Sequence, residues 1–269
     1  MPVPPRPDLE SGTSPAPPLA PSLGGGRPKS TWRWWDAIGV VFGALILGSI
    51  ASIPVFAVLH DTRSNGASGV SELAQGIVTD AVGLVVVILW LIRWHPEWRQ
   101  AIGFPPRGRR LREALTGAAL GLAVLVAATV ASTVILTILQ AATGGAKQSL
   151  PEQVRSDLSH GAVVLFAILA LVVAPITEEF VFRGLIFRTI RDRHGFLFAA
   201  VVSALLFGLV HFVAVNDWQS TLALQATMVI TGLGLATIYE KRGNLVASIA
   251  AHSAFNAVAV FTIALHALR

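Results

Sequence analysis

No cysteine occurs in this sequence of 269 residues. Disulfides, thiolate metal ligands and a cysteine nucleophile are thereby excluded, and the redox compartment is left open. Charge is scarce as well. Only 13% of residues are Asp, Glu, Lys or Arg, against 54% hydrophobic, and the mean hydropathy is +0.67. A soluble domain carries about 25% charged residues to cover its surface, so a water-soluble fold is excluded. The sequence also lacks an HExxH helix, the signature of one large class of zinc proteases. No short apolar core with a small-residue cleavage site stands near its start, so a secretory signal is not expected there. The net charge of +5 is modest and its basic residues stand between apolar runs. They read as topology signals, and no nucleic-acid partner is expected.

What the sequence does have is long apolar runs, several exceeding the 18 or so residues that cross a bilayer core as a helix. Seven spans are expected, at about 36–59, 74–93, 113–140, 161–187, 196–214, 219–239 and 244–268. The fold class is therefore all-α, a polytopic transmembrane helix bundle. Three parts are expected along the chain. Residues 1–30, rich in Pro, Gly and Ser, have too little apolar area to offset their ordering entropy and read as a disordered tail. Residues 31–154 hold spans 1 to 3, opened by "TWRWWD", whose three tryptophans suit a membrane interface. Residues 155–269 hold spans 4 to 7. In span 3, Gly117 and Gly121 form a small-xxx-small pair that permits close helix approach.

Basic residues are unevenly divided. Arg6, Arg27, Lys29 and Arg33 precede span 1, six arginines from Arg93 to Arg112 follow span 2, four from Arg183 to Arg193 end span 4, and Lys241 and Arg242 follow span 6. The other side has only Arg63, Lys147, Arg155 and Arg269. Sixteen against four places the N-terminus in the cytoplasm and the C-terminus outside, in the cell (plasma) membrane.

Ionisable side chains at membrane depth default to a functional hypothesis. Span 4 carries Glu178, Glu179 and Arg183 within "APITEEFVFRGLIF"; span 5 carries His211; span 7 carries His252 and Asn256; span 2 carries Asp80. His252 and Asn256 stand at i,i+4 and share a face, as do Phe207 and His211. Glu179 and Arg183 have the same spacing, favourable for an intrahelical ion pair, whereas Glu178 points about 100° away and is left for another helix. Pro175 removes one backbone hydrogen bond and, in α-helical register, frees the carbonyl of Leu171. Counted from the cytoplasmic ends, Glu178, His211 and His252 lie roughly 15, 22 and 12 Å deep, a spread that tilted helices accommodate. Asp80 has no second intramembrane aspartate and reads as an interfacial or packing residue. "GASG" (66–69) has the form of a serine-protease motif but lies in a polar loop.

Taken in order, these residues resemble the CAAX-protease and bacteriocin-processing (CPBP, or Abi) family of intramembrane proteases, which includes the type II CAAX prenyl endopeptidases. The family pattern is Glu-Glu-x-x-x-Arg, Phe-x-x-x-His, His-x-x-x-Asn. Here it reads "EEFVFR" (178–183), "FGLVH" (207–211) and "HSAFN" (252–256), without departure, and the resemblance covers roughly residues 155–265. It implies an endopeptidase whose site lies in the membrane and opens toward the cytoplasm, acting on a membrane-associated peptide or protein. Position by position, it implies Glu178 as the base that activates water and His211 as its partner. His252 and Asn256 would polarise the scissile carbonyl and hold the oxyanion, with Glu179 and Arg183 as orienting groups. The family is often called metalloprotease, and Glu178, His211 and His252 would supply a His₂Glu set for Zn²⁺ with one open position. Against zinc, no carboxylate is evident behind either histidine.

Two other classes stay open at this point. A non-catalytic immunity or scaffold protein would use the same cavity to bind a peptide. A proton-coupled transporter would use Glu178 and the histidines as a relay, but no inverted repeat or pair of broken helices accompanies them.

Overall fold

The structure, a computed structural model, describes residues 27–60, 67–143, 160–212 and 218–267. The tail up to residue 26, Gly66 of the "GASG" motif, the expected boundary at 154/155 and the end of the fifth expected span lie outside the described residues, whereas residues 67–69 of that motif, expected in a loop, form the start of a helix. Within them all regular structure is helical. Helices α1 (Trp34–His60), α2 (Ala67–Trp94), the short α3 (Trp98–Ile102) and α4 (Arg110–Thr143) come first. A composite helix α5 follows over residues 160–194, then α6 (Phe196–Val210), α7 (Trp218–Arg242) and α8 (Leu245–Ala267).

Among the described residues six segments are long and apolar enough to cross a membrane; α6, with 15 residues, is shorter. At 1.5 Å per residue it is about 22 Å long, and the fifth expected span continues beyond it into residues that are not described. Its C-terminal cap is His211.

The packing is that of a protein in lipid. Large apolar side chains such as Phe42, Ile46, Leu89, Val126, Ile138 and Leu209 point outward. Polar ones, Glu179, Arg183, Ser203, Thr231, Ser248 and His252, are buried. In water that outer surface would drive aggregation; in hydrocarbon it costs nothing, and the helical backbone satisfies its own hydrogen bonds.

Helix α5 runs through the middle, against α1, α2, α3, α6, α7 and α8. Around it, glycines set the closest approaches. A side chain at Gly117 or Gly121 would collide with the backbone of Ala247 or Ala251, so the small-residue pair of span 3 seats α4 on α8. Gly48 does the same for α1 against the Thr79 backbone of α2.

Residues 27–33, on either side of the expected tail boundary, are tied down. Arg188 donates to the Pro28 carbonyl at 2.8 Å, the Ser30 amide donates to Asp192 at 2.8 Å, and Thr189 donates to the Trp32 carbonyl at 3.1 Å. Trp32 is 0% exposed and donates its indole N–H to the Leu185 carbonyl, while Trp34 is 48% exposed. Of the three tryptophans expected at the interface, the first is a core anchor instead. Its ring N–H has a partner inside, and the others have none that would offset burial.

Candidate active site

The site is built on the irregular part of α5. That helix alternates between α (His160–Ile168), π (Leu169–Val173), α (Ala174–Glu179), π (Phe180–Phe187) and α (Arg188–His194). In the first π segment the Ala174 amide bonds the Leu169 carbonyl, five residues back. Pro175 has no N–H to continue this series. In π register the carbonyl left over is that of Ala170, not of Leu171 as α register would have it. Asn256 on α8 donates to that carbonyl at 2.8 Å. A proline, a widened helix turn and an asparagine from another helix thus close one hydrogen-bond account, as a buried backbone requires.

The two glutamates that follow part company. Glu179 is fully buried and pairs with Arg183 at 2.7 Å, with the expected i,i+4 spacing. The same carboxylate accepts hydrogen bonds from Ser248 Oγ and from His252 Nδ1, the latter at 3.0 Å. Arg183 also donates to the Gly232 carbonyl at 3.0 Å and lies 4.8 Å over the Phe207 ring. Glu179 therefore does more than balance a charge. It is the carboxylate behind His252 that the sequence left unassigned, and it fixes that ring's tautomer and orientation.

Glu178 faces the other way. Its Oε2 is 3.4 Å from His211 Nε2 and 3.8 Å from His252 Nε2, and it makes no direct hydrogen bond among the described residues. His211 donates its Nδ1–H to the Phe207 carbonyl at 2.8 Å, an oxygen at the end of α6 that also accepts from the His211 amide at 3.3 Å. Both histidines thus engage Nδ1 elsewhere and turn Nε2 toward one carboxylate oxygen. Phe207 packs against both rings, at 4.3 Å from His211 and 5.7 Å from His252. Exposure grades across the cluster, with Glu178 at 22% and His211 at 31% on the open side and His252 at 5% behind.

Glu178, His211 and His252, from α5, α6 and α8, are therefore brought together, and Asn256 sits beside them with one N–H committed to Ala170. Ser248 was missed by sequence reasoning. It stands four residues before His252, so the run Ser248, His252, Asn256 at i, i+4, i+8 on one face was its available signal. Gln225 of α7, which donates to the His211 carbonyl at 3.3 Å, had none. Among the described residues no group of three or more His, Asp or Glu side chains is gathered so as to hold a metal ion.

Residues 160–258 match the protein family described as type II CAAX prenyl endopeptidase Rce1-like. Within the curated proteins the chain is similar to YdiL of Bacillus subtilis (strain 168), named provisionally as a membrane peptidase. The two are 32% identical over 99 residues, 37% of this chain and 37% of that protein, so the chain spans little more than a third of the relative it matches. No solved structure matches. The resemblance read from the three motifs holds over this region.

Proposed function

We propose that this protein, with its Rce1-like region, is an intramembrane endopeptidase that hydrolyses a peptide bond in a membrane-associated peptide or protein. One observation carries the reading: Glu178 Oε2 faces the Nε2 atoms of two histidines from two other helices, inside a wall of apolar side chains. A half-buried carboxylate facing two imidazoles is a poor packing element and a serviceable base.

Glu178 takes a proton from water lying at its open side, with His211 hydrogen-bonded to the same water or carboxylate. The oxygen attacks the scissile carbonyl. His252, held by Glu179 through Nδ1, directs Nε2–H at the developing oxyanion. The second N–H of Asn256, the one not given to Ala170, completes the pair of donors. Glu178 returns its proton to the leaving nitrogen as the C–N bond breaks. Low dielectric strengthens each of these interactions. The distribution of basic residues supports a cytoplasmic N-terminus, a plasma-membrane setting and a site that opens to the cytoplasm.

The steps above use the protein's own side chains and water. Zinc held by Glu178, His211 and His252 is the competing arrangement. Metal analysis of wild type against His252→Ala separates the two, with equal and substoichiometric zinc expected. The function is tested by purifying the protein in detergent and supplying a library of membrane peptides. Wild type cleaves, and Glu178→Ala, His211→Ala and His252→Ala each lose roughly 10²-fold or more. Cleavage that persists in Glu178→Ala removes the base. A wild type that cleaves nothing returns the site to a binding role.

A further inference from the structure

The outer face of the bundle carries a groove that the mechanism leaves unused. Its floor is the hairpin of α5 and α6, which turns at Gly195, and one wall is α1. Ile186 and Ile190 line it from α5, Val202 and Leu206 from α6, and Ile38 from α1. Each pair on α5 and α6 stands at i,i+4, so each helix gives the groove one apolar stripe. From Ile186 to Arg193 it runs about 10 Å along α5. Its cavity is about 280 Å³, below the roughly 300–1,000 Å³ that encloses a drug-sized ligand. A helix, about 10 Å across, does not fit it. The surface around it is apolar and outward-facing, with Leu197, Val201 and Leu205 exposed. At the deep end Ile186 and Leu206 pack with Phe182 and Phe207.

The shallow end is cationic. Arg193 and His194 stand there, both exposed. Arg193 is held in place without being neutralised. Its Nη1 donates to the Thr189 carbonyl at 2.8 Å and to Thr189 Oγ1 at 2.6 Å, and its Nη2 donates to the Trp32 carbonyl at 3.2 Å. All three acceptors are uncharged. Of the five N–H groups of a guanidinium, Nε–H and one on Nη2 remain. Those two nitrogens are the fork with which Arg191 grips Glu240 and Arg242 grips Glu113. On Arg193 the fork has no acceptor among the described residues. Asp192, the next residue along the chain, is taken by Arg188 at 3.3 Å and by the Ser30 amide.

A planar fork matches phosphate geometry, and basic pockets between transmembrane helices take acidic lipid head groups. A fixed cation at the mouth of a narrow apolar groove suits an amphiphile with an anionic head and a single chain to insert. We propose that this groove is a binding site for an anionic phospholipid, its phosphate on the Nε–Nη2 fork of Arg193 and part of one acyl chain along Ile190, Ile186 and Leu206. The lipid supplies to Arg193 the charge that carboxylates supply to Arg188, Arg191 and Arg242. Its chain backs the Phe182–Phe207 pair, and so braces the ring on which His211 and His252 rest. The binding stands whether or not the protein is a peptidase.

Native mass spectrometry of the full chain reads the bound lipid. The purified protein is exchanged into detergent with phosphatidylglycerol or phosphatidylcholine of identical acyl chains. Wild type retains phosphatidylglycerol several-fold over phosphatidylcholine, and the preference shrinks as salt rises. Arg193→Gln brings the two lipids level. Val202→Phe fills the groove and lowers retention of both several-fold. Melting temperature follows, with phosphatidylglycerol raising that of wild type more than that of either variant. Equal retention of the two lipids by wild type, or a preference that survives Arg193→Gln, overturns the proposal. Retention unchanged by Val202→Phe overturns it too, since the lipid then lies elsewhere. Arg193→Gln also releases the Trp32 carbonyl. Should it not fold, Val202→Phe decides alone, because an apolar exchange leaves the contacts of Arg193 in place.

Discussion

Glu179 shows what one side chain carries. It accepts from Arg183, Ser248 and His252 with no exposure to solvent. Removing its charge strands a buried guanidinium, and breaking such a pair costs roughly 3–5 kcal/mol. Glu179→Gln is therefore expected to melt well below wild type in detergent and to lose activity through a misoriented His252. The double variant Glu179→Gln/Arg183→Met, which removes both charges, should recover most of the melting temperature and little of the activity. Thermal melts beside cleavage rates separate the two effects. That Glu179 and Arg183 pair was legible from their spacing, because i,i+4 neighbours meet on any helix. That Glu179 also serves His252 was not, because nothing in a linear sequence says which helices abut. Ser248 was hidden for the same reason, although its spacing to His252 was in plain view.

Among elements, α5 and α8 are joined by a repair. Asn256 supplies the Ala170 carbonyl with the hydrogen bond that Pro175 cannot. Asn256→Ala leaves that carbonyl unpaired, at about 1–3 kcal/mol. Pro175→Ala restores a backbone N–H within reach of it. Combining the two should therefore cost less stability than Asn256→Ala alone, and a double-mutant cycle by thermal melting checks this. Activity should stay low in the double variant if the second N–H of Asn256 also meets substrate. The seat of α4 on α8 gives a further expectation. Gly121→Ala drives a methyl into the backbone of Ala251, the residue before His252. Overpacking of this kind costs about 1–3 kcal/mol, and cleavage should fall further than stability does, since the displaced segment carries His252. The glycine pair was readable as a contact motif, but not its partner. The π segments left no trace in the sequence beyond Pro175. Hydropathy records which residues prefer lipid, and α and π turns bury the same side chains, so the register of Ala170 against Leu171 lay beyond it.

For the whole molecule, the bundle was the most legible feature, because a bilayer imposes length and helicity on any apolar run that crosses it. The exception is instructive. The run 196–214 is apolar throughout its first part, yet its helix stops at Val210. Composition does not mark where a helix ends when the chain on both sides is apolar. The basic residues support the proposed orientation, under which a reporter fused to the N-terminus is expected on the cytoplasmic side, with one fused to the C-terminus on the opposite side. Reversed signals would turn the proposed site away from the cytoplasm. The order of the helices has one more outcome. Glu179 and Arg183 are synthesised on α5, whereas Ser248 and His252 arrive only with α8, the last helix described. Until α8 is made, Glu179 has Arg183 but neither Ser248 nor His252, and the proposed cluster is a histidine short. On the proposed reading, a nascent chain that has not yet inserted α8 cannot cut, because it lacks His252 and the Ser248 that holds Glu179.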